Sequence, residues 1–148
     1  MIKIGIMSFA HLHAEAYIQN IRSIPGVEWI GFVDPDSDRV KQFSEQFRTW
    51  GTSDFDEFFA KKPDGVVICS ENNNHLSMVE TAIAAGVKNI CCEKPLATTL
   101  EDAEKIVSLT ESKKINLMTA FPMRFSAPIV AVKDQLDRGV YGKIYCFR

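Results

Sequence analysis

The sequence has no run of basic residues and no long apolar run. Its 148 residues carry a net charge of -2, so nothing in it predicts a basic surface for nucleic acid or for an anionic membrane. No segment approaches the roughly 18 apolar residues that a membrane span requires, and the apolar amino terminus is too short for a signal peptide. We therefore expect a cytoplasmic protein with neither a nucleic-acid nor a membrane partner.

The four cysteines form no Cys-x-x-Cys pair. Cys69, Cys91 and Cys92 lie inside or at the end of apolar segments of strand length. Cysteines in such segments usually pack as small apolar residues and stay reduced. The sequence therefore predicts neither a disulfide framework nor a metal site.

A glycine-rich turn is also missing after the first apolar segment. In the dinucleotide-binding fingerprint Gly-x-Gly-x-x-Gly, glycines let the pyrophosphate approach the backbone. Here Ser8, Ala10 and His13 take those places, and each adds a Cβ atom. The amino end of the first helix is still expected to offer free N–H groups to an anion. His11 and His13 either bind a phosphate or substrate oxygen or only pack and cap the helix start. The candidate cofactor contacts in this turn are Ser8, Phe9, Ala10, His11 and His13.

Short apolar segments alternate with longer segments of helical period throughout most of the chain. The segments of strand length are Ile2–Met7, Val27–Val33, Gly65–Cys69, Lys88–Cys92 and Ile115–Ala120. Strands that are apolar on both faces belong in a parallel sheet covered by helices on each side. The pattern therefore predicts the α/β class.

Capping signals support the helices of this pattern. Thr98 with Glu101, and Asp54 with Glu57, have the spacing of a capping box. Gly86 has the position of a carboxyl-terminal cap after a helix that begins near His75.

The chain divides near residue 120. Residues 1–120 are expected to form one domain, and residues 121–148 a connecting loop, a helix over Ala127–Arg138 and a strand that begins at Gly142. We expect this strand to be the first of a second domain that the sequence does not include.

Asp34 follows the second strand. An acid there accepts hydrogen bonds from the adenosine ribose of a bound dinucleotide, and its charge favours NAD over NADP. The alternative is that Asp34 starts a turn and caps the next helix. The polar loop over residues 69–75 also lies at a strand end, where ligand contacts and helix caps are both common.

Lys94 follows the strand that ends at Cys92, between Glu93 and Pro95. This places a lysine at the carboxyl end of a strand, where α/β sheets bind ligands. Glu93 beside it favours the protonated amine, so the residues alone leave Lys94 open as a catalytic group or as a salt-bridged structural one.

Taken together, the motifs resemble the amino-terminal half of the Gfo/Idh/MocA oxidoreductases, the family of glucose-fructose oxidoreductase and inositol 2-dehydrogenase. The matching segments span the chain in order, and they are Lys3-Ile4-Gly5-Ile6, Val33-Asp34-Pro35-Asp36, Asp64-Gly65-Val66-Val67-Ile68 with Asn72 and His75, Cys92-Glu93-Lys94-Pro95-Leu96-Ala97, Arg124-Phe125 and Gly142-Lys143-Ile144.

The resemblance implies a Rossmann-type, doubly wound parallel sheet that binds NAD, with NADP less favoured. It implies that Lys94 lies near the nicotinamide and assists proton transfer to or from a sugar or polyol hydroxyl. It also implies a cis bond before Pro95, a separate substrate domain, and a homo-oligomer in the full-length form. The remaining cofactor contacts that it implies are Ser70, Asn72, His75, Glu93, Lys94, Pro95 and Arg124.

Two departures from the family pattern leave other functions open. The glycine-rich turn is replaced, and Ser70-Glu71 stands where the family has Thr-Pro. The competing hypotheses are a non-catalytic module that senses a dinucleotide or another ligand, and a naturally short oligomeric protein that pairs through its terminal strand.

Overall fold

The computed structural model describes residues 1–146 and contains one six-stranded parallel sheet. Its strands lie in the order β3-β2-β1-β4-β5-β6, and each neighbouring pair is parallel. The strands are β1 (Ile2–Met7), β2 (Val27–Val33), β3 (Gly51–Thr52), β4 (Gly65–Ile68), β5 (Asn89–Cys92) and β6 (Asn116–Thr119). The predicted α/β fold with a doubly wound parallel sheet is confirmed.

Six α-helices accompany the strands in the described residues. They are α1 (Ala14–Ser23), α2 (Ser37–Phe47), α3 (Phe55–Phe59), α4 (His75–Ala84), α5 (Leu100–Ser112) and α6 (Ala127–Asp137). Two short 3-10 helices cover Asn72–Asn74 and Pro122–Phe125. No helix within residues 1–146 is both long enough and apolar enough to cross a membrane.

The core has two parts, one on each face of the sheet. Because side chains alternate along a strand, Ile6 and Met7 point to opposite faces, and they belong to different buried clusters. The first cluster, with Ile6, also contains Ile18 of α1 and Phe43 of α2. The second, with Met7, contains residues of α3, α4 and α5, namely Phe58, Met78, Val79, Ala82 and Ile106. The carboxyl-terminal half of β1 is therefore buried on both faces of the sheet, as a parallel sheet covered by helices on each side requires.

Side-chain oxygens fix where the helices begin. Asp54 caps α3 by accepting from the amides of Asp56 and Glu57, as the sequence predicted. The cap of α5 is Thr99, whose side chain accepts from the amide of Asp102. The predicted box of Thr98 and Glu101 was therefore wrong by one residue, because the extended backbone continues through Thr99.

The strand cysteines pack as the sequence predicted. Cys69 and Cys92 are buried, Cys91 is half-buried, and all three are free thiols. Burial raises the pKa of Cys91 to about 11 and that of Cys92 to about 12. Both thiols are therefore neutral at pH 7 and poor nucleophiles.

The strands of the structure differ from those expected from the sequence at two places. The two-residue β3 was missed because it is too short to show a periodic pattern. The strand expected from Gly142 is not formed over residues 142–146, and Phe147 and Arg148 lie outside the described residues. A strand needs a neighbour for its backbone N–H and C=O groups, and residues 142–146 pair with no strand of the described sheet.

The sheet order reverses direction at the boundary between β1 and β4. From β1 the chain moves outward to β2 and β3, and it then returns to β4 and continues on the other side. The loops after β1 and β4 therefore diverge at the carboxyl edge and leave a crevice, which is where open α/β sheets bind ligands.

Candidate functional site

The turn after β1 takes a glycine-like backbone shape without a glycine. Ser8 has a φ of 71° and is fully buried. Its hydroxyl donates to Asp34 Oδ2 at 3.0 Å, and the amide of Phe9 donates to the same oxygen at 2.7 Å. The ring of Phe9 packs against Phe32 and Phe43, with centroids 4.5 and 4.7 Å apart. Side-chain hydrogen bonds and packing thus hold a left-handed conformation that is costly for serine.

This turn uses most of its backbone donors internally. Beyond Phe9, the amides of Ala10, His11 and His13 donate to Ser8 Oγ, the Cys69 carbonyl and His11 Nδ1 at 3.1, 2.9 and 3.2 Å. The amides of Ser8 and Ala14 donate to the carbonyls of Val33 and His11. Within the described chain, Leu12 is the one residue from 8 to 14 whose amide has no protein acceptor. The amides of Glu15 and Ala16, in the first turn of α1, likewise have no backbone acceptor in the described chain, so the expected free N–H groups lie at Leu12 and in the first turn of the helix, and not in the rest of the loop before it.

Asp34 lies at the centre of a second group of contacts. Its buried carboxylate accepts from the turn, from the amide of Asp36 at 2.8 Å, and from Arg39 Nε at 3.0 Å. Arg39 also pairs with Asp36 at 3.6 Å and with Glu71 at 3.3 Å. Asp36, not Asp34, caps α2. Glu71 therefore faces Arg39 and the carboxyl end of β2, and the contact of Asp34 with a ribose stays a prediction.

Glu93 joins α1 to the end of β5. The carboxylate is fully buried, and its Oε1 accepts from Tyr17 Oη at 2.8 Å and contacts His13 Nδ1 at 3.0 Å. Its Oε2 accepts from the amide of Lys94 at 3.1 Å. Burial alone would raise the pKa of Glu93, but the hydrogen bonds from Tyr17 and His13 outweigh it and hold the pKa below its usual range. Glu93 is therefore ionised at neutral pH and fixes the backbone at Lys94.

His11, His13 and Glu93 lie close enough to suggest metal ligands, since one ligand atom from each lies within 4.8 Å of the others. Two of their candidate ligand atoms already accept hydrogen bonds, however. Nδ1 of His11 accepts from the amide of His13, and Oε1 of Glu93 accepts two hydrogen bonds. As arranged, these three residues form a hydrogen-bonded network rather than an open coordination site.

Lys94 carries a charge that no neighbour neutralises. Its side chain is half-buried, and its ammonium forms no salt bridge with residues 1–146. The structural alternative of a salt-bridged lysine therefore finds no support in the structure. The bond between Lys94 and Pro95 is cis, as the resemblance implied.

His75, at the start of α4, contacts the same segment. It is fully buried, and its Nδ1 lies 2.8 Å from the carbonyl oxygen of Pro95. A carbonyl only accepts, so Nδ1 donates and Nε2 carries the lone pair. No protein atom in the described chain bonds this buried Nε2. A buried unpartnered acceptor beside Lys94 is a group that a bound molecule can satisfy.

The remaining candidates lie around this centre in different environments. Ser70 is buried, and its hydroxyl donates to the carbonyl of Glu71 at 3.3 Å. Asn72 is exposed at the start of the 3-10 helix that leads into α4. Arg124 is exposed after β6, and the described contacts do not bring its side chain to the other candidates.

The sequence did not reveal Tyr17 and Arg39. Tyr17 lies four residues after His13, so both side chains lie on one face at the start of α1 and can meet at Glu93. Arg39 lies three residues after the cap Asp36. The spacing of Tyr17 gave no sign of Glu93, the acid that it contacts, because Glu93 lies 76 residues away. Arg39 lies close to Asp34 and Asp36 in sequence, but its contact with Glu71 joins two different loops.

The strand order reverses between β1 and β4, at the topological switch point of the sheet, and the residues around this point fit a dinucleotide. The structure offers a left-handed turn, a free amide at Leu12, a free ammonium at Lys94 and a buried unpartnered nitrogen at His75 along one sheet edge. A site of this kind suits an elongated anionic ligand with a polar ring at one end.

Comparison with known proteins places the chain among oxidoreductases. It is 27% identical over 147 residues to myo-inositol 2-dehydrogenase of Thermotoga maritima, covering 98% of this chain and 42% of that protein. It is 34% identical over 145 residues to D-apiose dehydrogenase of Paraburkholderia graminis, covering 96% of this chain and 36% of that protein. The chain thus spans about two fifths of the length of these relatives.

A solved structure supports the same relationship to oxidoreductases. The crystal structure of an oxidoreductase from Agrobacterium radiobacter in complex with NAD+, L-tartaric acid and magnesium is 29% identical, with a TM-score of 0.84 over 96% of this chain and 42% of that one. Residues 2–121 match the model of an oxidoreductase family described as an NAD-binding Rossmann fold. The chain therefore belongs to the Gfo/Idh/MocA oxidoreductase family, and residues 2–121 are its NAD-binding Rossmann domain.

Proposed function

We propose that this chain is the cofactor-binding part of an NAD-dependent dehydrogenase that acts on a hydroxyl of a sugar or polyol. When bound, NAD would accept or supply the hydride. The proposal rests on the names of the relatives and on their greater length, since each is more than twice as long as this chain.

The observation that carries the proposal is the free ammonium of Lys94 at the switch point. The amide of this residue is held by Glu93 Oε2, and the next residue is held through its carbonyl by His75. A lysine fixed at its backbone but unpaired at its tip can orient a substrate hydroxyl, and in the direction of reduction it can donate a proton to the carbonyl oxygen that becomes this hydroxyl. Ser70, Asn72 and His75 would line the nicotinamide side, and Arg124 would approach it from the loop after β6.

NAD is favoured over NADP by the charges around Arg39. This guanidinium is shared by Asp34, Asp36 and Glu71, so three carboxylates surround one positive charge. A 2'-phosphate placed there would meet a net negative site. Ribose hydroxyls, by contrast, can donate to carboxylate oxygens.

Cofactor binding is tested by titrating the chain with NADH and NADPH and following cofactor fluorescence. We expect NADH to bind and NADPH to bind more weakly. No binding of NADH at millimolar concentration would contradict the proposal.

The role of Lys94 is tested in the longer protein with a panel of sugars and polyols. Lys94→Ala should lower kcat by about 10²–10⁴-fold, which is the usual range for loss of a general acid or base, and leave NADH affinity largely unchanged. Lys88→Ala, which changes an exposed lysine just before the same strand, is the matched control and should leave both quantities unchanged.

A ligand-sensing module is the second candidate, because the amides that usually receive a pyrophosphate are engaged within the turn. The two candidates differ in turnover. A change in NADH absorbance with any member of the sugar panel would refute the sensor, whereas NADH binding without turnover on any substrate would favour it.

The proposed homo-oligomer finds support in apolar exposure after β6. Phe121, Met123 and Phe125 are 49, 67 and 69% exposed, and neighbouring apolar side chains exposed to water often mark a contact surface. Because the expected homo-oligomer is that of the full-length form, light scattering of the longer protein that shows a monomer would contradict it.

A further inference from the structure

The turn after β1 presents one imidazole donor where a Rossmann domain normally presents backbone donors. Glycine-rich turns bind a pyrophosphate through main-chain N–H groups. In residues 8–14 of this protein, six of the seven amides donate to protein acceptors, and only that of Leu12 does not. Within the loop before α1, an anion therefore finds one free amide, that of Leu12, and any further donor there must come from a side chain.

The hydrogen bond at His11 determines which of its nitrogens carries the proton. Nδ1 accepts from the amide of His13 at 3.2 Å. A backbone amide can only donate, so Nδ1 carries a lone pair and the proton of the neutral ring lies on Nε2. No acceptor within residues 1–146 bonds Nε2. His11 thus holds an N–H donor with no protein partner.

His13 has the opposite arrangement. Its Nδ1 lies 3.0 Å from Oε1 of the ionised Glu93, so Nδ1 must carry the proton. The two histidines of the turn are therefore not equivalent: the Nδ1 proton of His13 is engaged by Glu93, whereas His11 keeps an N–H group that can donate to an anion.

We propose that Nε2–H of His11, together with the amide of Leu12, binds the pyrophosphate of the dinucleotide in place of the missing glycine-turn amides. This inference rests on the proposed binding of NAD. His13 instead holds Glu93, and Glu93 in turn holds the backbone at Lys94.

The surroundings of His11 support the neutral donor form. Burial is the largest influence on the pKa of His11 and lowers it below its usual value, while Glu93 acts in the opposite direction. The positive charge of Lys94 lowers the pKa of His11 further. Near pH 7 the ring is therefore neutral, with its single proton on Nε2.

The test compares ligands that differ only in the diphosphate. ADP and adenosine are titrated calorimetrically against the wild-type chain and His11→Ala, with NADH followed by fluorescence. A charge-assisted hydrogen bond is worth enough for about a tenfold change in affinity. We expect His11→Ala to weaken ADP and NADH by about tenfold and to leave adenosine unchanged, and His11→Gln, which keeps an N–H donor, to lose about threefold or less. Gln19→Ala, on an exposed position of α1, should change nothing.

A second measurement needs no variant. The ¹⁵N–¹H signals of the imidazole of His11 are followed in the wild-type chain during titration with ADP and with adenosine. A shift of the Nε2–H signal with ADP but not with adenosine supports the inference.

Three results would overturn it. They are equal weakening of ADP and adenosine in His11→Ala, unchanged ADP affinity in that variant, and an Nε2–H signal that does not respond to ADP. Failure of the wild-type chain to bind NADH at all would instead overturn the proposed function itself, and this inference with it.

Discussion

Tyr17 and His13 share one oxygen atom of Glu93. The hydroxyl of Tyr17 donates at 2.8 Å and the imidazole of His13 at 3.0 Å, both to Oε1. Two donors from the start of α1 thus anchor the acid that precedes Lys94, and the helix and the lysine segment are connected through a single buried carboxylate.

Tyr17→Phe tests this connection. The variant removes one donor from a buried carboxylate, so the free energy of unfolding should fall by about 1–3 kcal/mol. The pKa of Glu93 should rise, because the Tyr17 bond is the strongest of the contacts that lower it. Urea unfolding gives the first quantity, and Tyr145→Phe, at a side chain 84% exposed, should show no change.

Glu93→Gln tests the pH dependence of stability. The pKa of Glu93 in the folded protein lies below its ordinary value of 4.5. Its ionised form therefore adds stability above about pH 4.5, and that contribution is lost as the pH falls through the lower folded pKa. We expect Glu93→Gln to be less stable at pH 7 by about 1–3 kcal/mol and to lose less stability on acidification. Glu104→Gln, at an exposed carboxylate, should keep the wild-type profile, and parallel profiles for all three proteins would contradict the assignment.

Asp34→Ala tests what holds the turn in its left-handed shape. The substitution leaves the hydroxyl of Ser8, the amide of Phe9 and the guanidinium of Arg39 without their buried acceptor. We expect a loss of about 2–4 kcal/mol in unfolding free energy, measured by urea denaturation. Asp38→Ala removes an exposed acid of the same segment and should cost far less. Equal costs would mean that the carboxylate of Asp34 does not support the turn.

Gly5→Ala tests the close approach of β1 and α3. A Cβ at position 5 would lie 2.6 Å from Cζ of Phe58 and 3.1 Å from the carbonyl oxygen of Gly31. Overpacking of this kind costs about 1–3 kcal/mol. In a Phe58→Leu background the ring is gone, so Gly5→Ala should cost less there, and a double-mutant cycle measures the difference. Additive effects would argue against the contact.

The fold was predictable because its signals are local. Five of the six strands are apolar segments of strand length in the sequence. Asp54 indicated a helix start because its side chain can cap backbone amides, and Gly86 indicated a helix end because glycine adopts a positive φ readily. β3 was not predictable, since two residues carry no period and Gly51 and Thr52 depend on β2 for their hydrogen bonds. The cap at Thr99 was missed because Thr98 and Thr99 are equally good capping residues in the sequence, and only the backbone angles of the folded chain distinguish them.

The site was predictable only in part, because its contacts join residues distant in sequence. The motif around Lys94 marked the right edge of the sheet. The partners of Glu93, however, lie 80 and 76 residues away. The engagement of Asp34 by the turn, with Ser8 26 residues away, follows from the packing of Phe9 and the angle at Ser8, which no spacing encodes.

The double use of the Ser8 hydroxyl has a consequence for redesign of the turn. It accepts from the amide of Ala10 and donates to Asp34 Oδ2, so one side chain keeps a backbone donor from any ligand. A change of Ser8 to glycine would suit the φ of 71° and free the amide of Ala10, while Asp34 Oδ2 would still accept from the amide of Phe9 and from Arg39. A glycine at this one position would therefore give the turn a second free amide beside that of Leu12.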